Sequence, residues 1–324
     1  GCGLFSCGKC GENAHWPPII PVIAIAVLLI GTMSISSTTL HRHELFFPEL
    51  LAMVLGCGVM ARRPWRCSRA ILFTSLTSGG IIGFMLSQLP LGGITEKMVL
   101  GYALCALFLA FARSNVTPMF SACLLPIMLG NCSWFYPAAI AAEMLLLVAA
   151  EWLLEHTNCR ECVKFEPLPG PLSQRLWRWS KITAFLVILL YLARLIGNCA
   201  AVPPLIVGYS VFADHYRMAR KHFFLGVAFM SGAALLGVAA RYTALNFNLP
   251  EVIPQLSAAL LLILVCRKFA YILPPTGAVL LLIFLLPPEA MMDYVWQIPL
   301  GSVLFLGAGR LFSRMEEYFY ELPR

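Results

Sequence analysis

The sequence predicts an all-α polytopic membrane protein built as two parallel repeats, each made of long transmembrane helices plus two short helices that open at proline. Three observations predict it. Hydrophobic residues make up 60% of the 324 residues and charged residues 12%, against roughly 45–50% and 25% in soluble domains, so too little polar surface exists to clothe a globule. Apolar runs recur at lengths that suit helices crossing a hydrocarbon layer ~30 Å thick. The order of long and short runs is itself repeated, each landmark returning 153 to 157 residues later.

Full spans are expected at 18–36, 70–89, 97–112, 135–154, 181–199, 222–240, 251–266 and 294–313. Between them lie four shorter apolar segments, 48–61, 118–130, 203–213 and 274–287, each starting at proline. A helix of 14 residues covers about 21 Å, which is short for a crossing. The recurring landmarks begin with Phe47-Pro48-Glu49-Leu50 and Val202-Pro203-Pro204-Leu205. A basic turn follows each, Arg62-Arg63-Pro64-Trp65-Arg66 and Arg217-Met218-Ala219-Arg220-Lys221. Next come Ser78-Gly79-Gly80-Ile81-Ile82-Gly83 and Ser231-Gly232-Ala233-Ala234-Leu235-Leu236-Gly237. The second short segments begin Thr117-Pro118 and Pro274-Pro275. An internal duplication accounts for a constant offset better than shared composition does.

Charge sets the expected orientation. With the N-terminus inside and each short segment counted as one crossing, 19 of the 23 Lys and Arg fall on the cytoplasmic side. Arg42, Lys97, Arg194 and Arg241 do not. Positive charge accumulates inside, so the net charge of +7 points to topology rather than to nucleic acid. Six crossings per half insert both repeats the same way up, related by an axis along the membrane normal. The expected divisions are a Cys-rich cytoplasmic N-terminus (1–17), repeat 1 (18–154), a cytoplasmic linker (155–180), repeat 2 (181–313) and a cytoplasmic tail (314–324). The first 17 residues hold one Lys and no Arg, so a retained first helix is expected rather than a cleaved leader.

Short, interrupted segments at matching positions of two repeats are the best sequence pointer to a transport site. A helix start inside the membrane offers free N–H groups and a positive dipole end, which suit an anion. The expected binding residues are therefore Pro48, Glu49, Thr117, Pro118, Ser121, Pro203, Pro204, Pro274, Pro275, Thr276 and Gly277. Glycine at 277 lets another helix or the solute come close to the backbone. Glu49 stabilises its helix start when ionised but repels an anion, which suits a proton-linked gate. Glu143 and Arg194 join the set because ionisable groups within apolar spans usually face the protein interior or a watery path. Two CxxC pairs, Cys7/Cys10 and Cys159/Cys162, have the ligand type and number for tetrahedral zinc, with a redox dithiol as the competing reading. Zinc is the only cofactor the sequence raises. P-loop, HExxH and GxSxG motifs are missing, so neither a nucleotide-driven pump nor a hydrolase of those kinds is expected.

The run Arg267-Lys268-Phe269-Ala270-Tyr271-Ile272-Leu273-Pro274-Pro275-Thr276-Gly277-Ala278 resembles the signature of the HPP family of integral membrane proteins. Arg113 through Leu129 resembles a degenerate copy, and Trp134-Phe135-Tyr136-Pro137 resembles the start of that family's last helix. The resemblance covers 46–154 and again 201–313, as two fused units. The histidine for which the family is named is replaced by Leu273 and by Val116. What the resemblance implies is the architecture, the Pro-Pro helix start and, from some members of the family, nitrite transport.

The leading expectation is thus a multi-pass transporter or channel, not an enzyme, for a small solute, an anion such as nitrite. Its partners are the lipid bilayer and that solute, with self-association left open. The alternatives are a membrane metal or redox sensor or scaffold using the CxxC pairs, and a membrane-embedded enzyme acting on a lipid-like substrate.

Overall fold

A computed structural model describes residues 16–60, 63–90, 92–130, 132–160, 165–197 and 201–321, with the backbone alone at 216–217 and 318–321. Twelve helices follow one another: α1 (Ile19–Thr39), α2 (Glu49–Val54, continued by a π-helical turn at Leu55–Val59), α3 (Arg69–Gln88), α4 (Ile94–Ala112), α5 (Pro118–Leu129), α6 (Phe135–His156), α7 (Leu172–Ile196), α8 (Pro203–Asp214), α9 (Tyr216–Asn246), α10 (Val252–Lys268), α11 (Pro275–Leu282, ending in a 3-10 turn at Ile283–Leu285) and α12 (Ala290–Glu321). No strand occurs among the described residues. Seven helices, α1, α3, α4, α6, α7, α9 and part of α12, are long and apolar enough to cross a membrane, so the chain is an all-helical, multi-pass membrane protein. The expected eighth long span is α10, which at 17 residues falls just short of them.

Several boundaries differ from the sequence reading, among them the following. The first turns of α7 occupy 172–180, which was expected to be linker; hydropathy drops there at Arg175, Arg178 and Lys181, but the helix persists because those side chains line an open cleft. Helix α12 runs unbroken past residue 313 to Glu321. Helix α9 begins before the expected start at 222, and His222 is where its backbone leaves helical geometry and kinks.

The long helices show alternating faces. Ile20, Phe111, Leu145, Leu195 and Leu261 stand exposed on outer faces, as lipid contact requires. The short helices have no such face. Every residue of α2, its π turn and α11 is buried, as are Pro118–Ile127 of α5 and Pro203–Ala213 of α8. Apolar all round, they form the interior around which the long helices pack. Helix α3 packs on α5 and α6, and α9 on α11 and α12. Helix α5 meets α8 and α2 meets α11, while α4 packs on α7 and α1 on α10.

Small residues allow these approaches. A Cβ at Gly83 would lie 2.0 Å from the Cys123 carbonyl oxygen of α5, and one at Gly79 would lie 2.7 Å from that of Met119. The Gly79–Gly83 spacing is the small-xxx-small pattern of close membrane helix pairs. Gly237 does the same on α9, where a Cβ would sit 2.3 Å from the Leu280 oxygen of α11.

Two tyrosines repair breaks in the short helices. Pro126 has no N–H to give to the carbonyl of Ala122 one turn earlier; Tyr136 Oη of α6 donates to that oxygen instead, at 2.8 Å. In α11 the change to a 3-10 turn at Ile283 frees the Val279 carbonyl, and Tyr294 Oη of α12 donates to it at 2.7 Å. Tyr136→Phe and Tyr294→Phe should each cost about 1–3 kcal/mol, because each leaves a buried carbonyl unpaired. Thermal unfolding in detergent checks this, and Tyr242→Phe, at an exposed position, should leave the midpoint unchanged.

Candidate functional site

The starts of α2, α5 and α11 come close to one another inside the protein, whereas α8 reaches them with its far end, at Val211, and not with Pro203 or Pro204. Pro48, Pro118, Pro203, Pro204, Pro274 and Pro275 are all buried, and at N1 of a helix proline gives up only a donor that has no partner in the helix. Glu49, at the first position of α2, accepts a hydrogen bond from Ser121 Oγ in the first turns of α5. Gly277 of α11 lies against the backbone of α2: a Cβ there would be 2.8 Å from the Ala52 nitrogen and 2.9 Å from the Leu51 carbonyl carbon. Thr117 and Pro274, the residues before α5 and α11, line one small cavity.

The hydroxyls expected to bind solute are occupied. Thr276 Oγ1 donates to the Leu273 carbonyl at 2.7 Å, Ser121 is committed to Glu49, and Thr117 Oγ1 accepts from Trp65 Nε1 at 3.2 Å. Trp65 is the residue that sequence reasoning passed over. It is buried in the segment between the π turn and α3, and Gly56 of the π turn makes room for it, since a Cβ at 56 would lie 2.5 Å from the indole. The cavity between Trp65, Thr117 and Pro274 measures about 10 Å³, space for about one water molecule.

Next to that cavity opens a cleft of about 740 Å³, bordered by the basic residues Arg66, Arg175, Arg178, Lys181 and His215 and by the acidic residues Asp214, Glu316 and Glu317. Asn115 and His215 line both the cleft and the small cavity. Asn115 ties the two levels together: its Oδ1 accepts from the Arg66 backbone N–H at 2.7 Å, and its Nδ2 donates to Asp214 at 3.0 Å. Arg178 pairs with Asp214 at 3.0 Å, and Lys181 pairs with Glu316. Arg175 donates to the carbonyls of Ala110 and Gly170. The cleft and the small cavity thus meet at Asn115 and His215, beside the starts of α5 and α11.

Of the two intramembrane ions expected to join the site, one does and one does not. Glu143 of α6 is buried and within electrostatic reach of Glu49. Arg194 is exposed in the last turn of α7, where its charge acts on Glu96 of α4; its long side chain lets the charge stay at the surface. In the loop between α5 and α6, burial pushes the Cys132 thiol up to about 11, with Glu44 adding to the shift. That thiol is therefore neutral at physiological pH. Of the CxxC cysteines, Cys7, Cys10 and Cys162 lie outside the described residues. Cys159 is half-buried, and the described residues contain no group of three or more His, Cys, Asp or Glu placed to hold a metal.

A buried charge cluster at the same end as the cleft also went unread in the sequence. Glu151 of α6 accepts from Arg63 Nε at 2.5 Å and Nη2 at 2.6 Å, and from Arg160 Nη1 at 2.6 Å. Arg160 also donates to the Cys57 carbonyl in the π turn. The signal was present in helical spacing, since Glu143 and Glu151 share the buried stripe of α6 with Ile140, Leu147 and Leu154. Glu151→Ala should cost about 3–5 kcal/mol, because it leaves two arginines buried without their carboxylate. Glu155→Ala, whose partner Arg69 is 33% exposed, should cost under about 1 kcal/mol. The two midpoints of unfolding in detergent make the comparison.

No family model, curated protein or solved structure matches this chain, so what the site does has to follow from its own geometry.

Proposed function

We propose that the chain is a membrane transporter or channel for a small solute, and that the solute is a small anion of nitrite's kind. One observation carries the reading: a cleft bordered by four Arg or Lys side chains shares Asn115 and His215 with the small cavity at Thr117 and Pro274, where α5 and α11 begin. The four cations outnumber the three carboxylates of the wall, Asp214, Glu316 and Glu317; a net positive wall draws an anion from water, and helix starts receive it with N–H groups and dipole ends. The resemblance to the HPP family agrees with both the class of solute and the Pro-Pro start. Trp65 closes the passage between the cleft and the helix starts, so transport requires the indole to leave Thr117.

The two-repeat organisation belongs to the same proposal. It is supported by helix pairings that recur in order: α3 with α5 and α6 against α9 with α11 and α12, and α5 with α8 against α11 with α2. Further support comes from the two tyrosine–carbonyl bonds and from the left-handed backbone at Arg113 and Ala270, which follow α4 and α10. An even number of crossings per repeat then puts both termini in the cytoplasm and the basic cleft with them.

Two measurements test these readings. Full-length protein in proteoliposomes should carry nitrite above protein-free vesicles, and Trp65→Ala should raise the rate severalfold by unplugging the cleft. Vesicles of either protein that take up no nitrite overturn the transport reading, and equal rates in the two move the route away from Trp65. In a background lacking the native cysteines, single cysteines at Gly93 and Pro171 should be labelled from opposite faces of the membrane; labelling from one face overturns the topology.

A further inference from the structure

The acid pair beneath the plug has a property that the passage alone does not require. Glu49 is 1% exposed and Glu143 8% exposed. Oε1 of Glu49 holds Ser121, while Oε2 of Glu49 and Oε2 of Glu143 have no hydrogen-bond partner. Helix α3, which packs on α6, brings only Arg69 at its first position, and that side chain pairs with Glu155. Helix α6 brings Tyr136, whose hydroxyl is committed to Ala122, and α5 brings Ser121 and the Cys123 thiol. Helices α1 and α11 contain no ionisable side chain. Of the flanking outer loops, Glu44 accepts from Ser133, Cys132 is a neutral thiol, and Arg42 sits over the Phe135 ring at 4.1 Å, two turns from Glu143. Among the described residues no cation is placed to neutralise the pair.

Two carboxylates within reach of each other in a dry interior cannot both be charged: desolvation and mutual repulsion each oppose it. At least one proton therefore resides on the pair. The position also links that proton to the closed passage. Thr117 and Pro274, under Trp65, lie one turn before Ser121 and Gly277 on α5 and α11. Ser121 is bonded to the Glu49 side chain, and Gly277 rests on the α2 backbone half a turn beyond Glu49. The first turn of α2 thus holds both helices whose starts form the floor of the cleft.

We propose that Glu49 and Glu143 form one proton-binding pair inside the membrane, and that loading and releasing its proton is coupled to anion movement, making the protein a proton-coupled carrier. The coupling rests on the transport reading above; the proton pair does not. Loading adds one H⁺ from water to a carboxylate oxygen and removes one negative charge from beneath the helix starts, so an anion can occupy them. Release restores the charge and expels the anion. The donor set favours a proton over a metal, since two carboxyls and one hydroxyl fall short of the roughly six to eight oxygens that Mg²⁺ or Ca²⁺ gathers.

Infrared difference spectroscopy and flux test the two parts separately, using the full chain in phosphatidylethanolamine–phosphatidylglycerol vesicles. At neutral pH the wild type should show the carbonyl stretch of a protonated, desolvated carboxyl. That band should be lost in the double variant Glu49→Gln/Glu143→Gln and kept in Glu44→Gln. A missing wild-type band, or one retained in the double variant, overturns the pair. With nitrite as probe and protein-free vesicles subtracted, an inside-alkaline gradient of about one pH unit should support up to about tenfold accumulation for one proton per anion. Glu49→Gln and Glu143→Gln should each abolish that stimulation. Nitrite uptake indifferent to the proton gradient, or driven by a sodium gradient instead, overturns the coupling. No nitrite uptake under any condition overturns the transport reading and the coupling together, while the band alone still decides the pair.

Discussion

A backbone that ends inside a membrane protein must find partners for its free N–H and C=O groups there, and much of this structure follows from that constraint. Four helices of about two to three turns lie largely buried among longer ones. Their starts lie in the interior, away from water. Proline at their starts removes donors that would otherwise be unpaired. Tyr136 and Tyr294 reach in from α6 and α12 to take the carbonyls that Pro126 and the 3-10 turn set free. At the far end of α2 the π turn presents the Cys57 carbonyl, and Arg160 takes it. That arginine could not be buried without Glu151, nor Glu151 without Arg63, so one orphan carbonyl sits at the root of the charge cluster.

The same constraint explains why the hydroxyls at the short-helix starts are engaged. Close packing through Gly79, Gly83 and Gly237 brings backbone against backbone, which leaves no room for water along the short helices. Polar side chains at their starts must then bond to each other or to the backbone. Ser121 takes Glu49, Thr276 takes Leu273 and Thr117 takes Trp65. A carrier built this way exchanges one set of internal bonds for bonds to solute, rather than keeping a permanent wet pore. Trp65 suits such an exchange because it is held by one hydrogen bond and by the gap at Gly56, on a π turn, a helical irregularity often found at functional sites.

How much of this could be read from the chain depends on the range of the interaction responsible. Helix positions came through because they depend on local runs: all four proline starts, Pro48, Pro118, Pro203 and Pro274, open a helix within a residue of where they were expected. The start of α7 did not, because Arg175, Arg178 and Lys181 ended the apolar run, and only tertiary structure shows that a cleft receives them. Gly277 was read as room for solute or helix, and it is the α2 backbone that fills the room, a contact between residues more than 200 apart in sequence. Arg194 looked intramembrane by its apolar neighbours, yet a position at a helix end lets its charge escape. Arg63, Glu151 and Arg160 were visible only as separate charges, since nothing local indicates that three distant residues meet.

If the chain is a duplication, its two halves have been put to different uses at corresponding places. Counting from the paired tyrosines, Glu151 answers to Gly309 and Glu143 to Gly301; counting from the paired prolines, Glu49 answers to Pro204 and Ser121 to Ala278. In the second half the missing side chain is what the packing uses. A Cβ at Gly309 would lie 2.7 Å from the Tyr209 oxygen and from Phe212 Cβ, so α8 comes down directly onto α12. In the first half α2 is held off α6 by carboxylates and guanidinium groups instead. Close van der Waals packing is hard to shift because every contact is lost at once, whereas ionisable contacts change with a single proton. The asymmetry therefore assigns rigidity to the α8–α12 side and responsiveness to the α2–α6 side, and α2 is the helix that touches both α5 and α11 beneath the cleft.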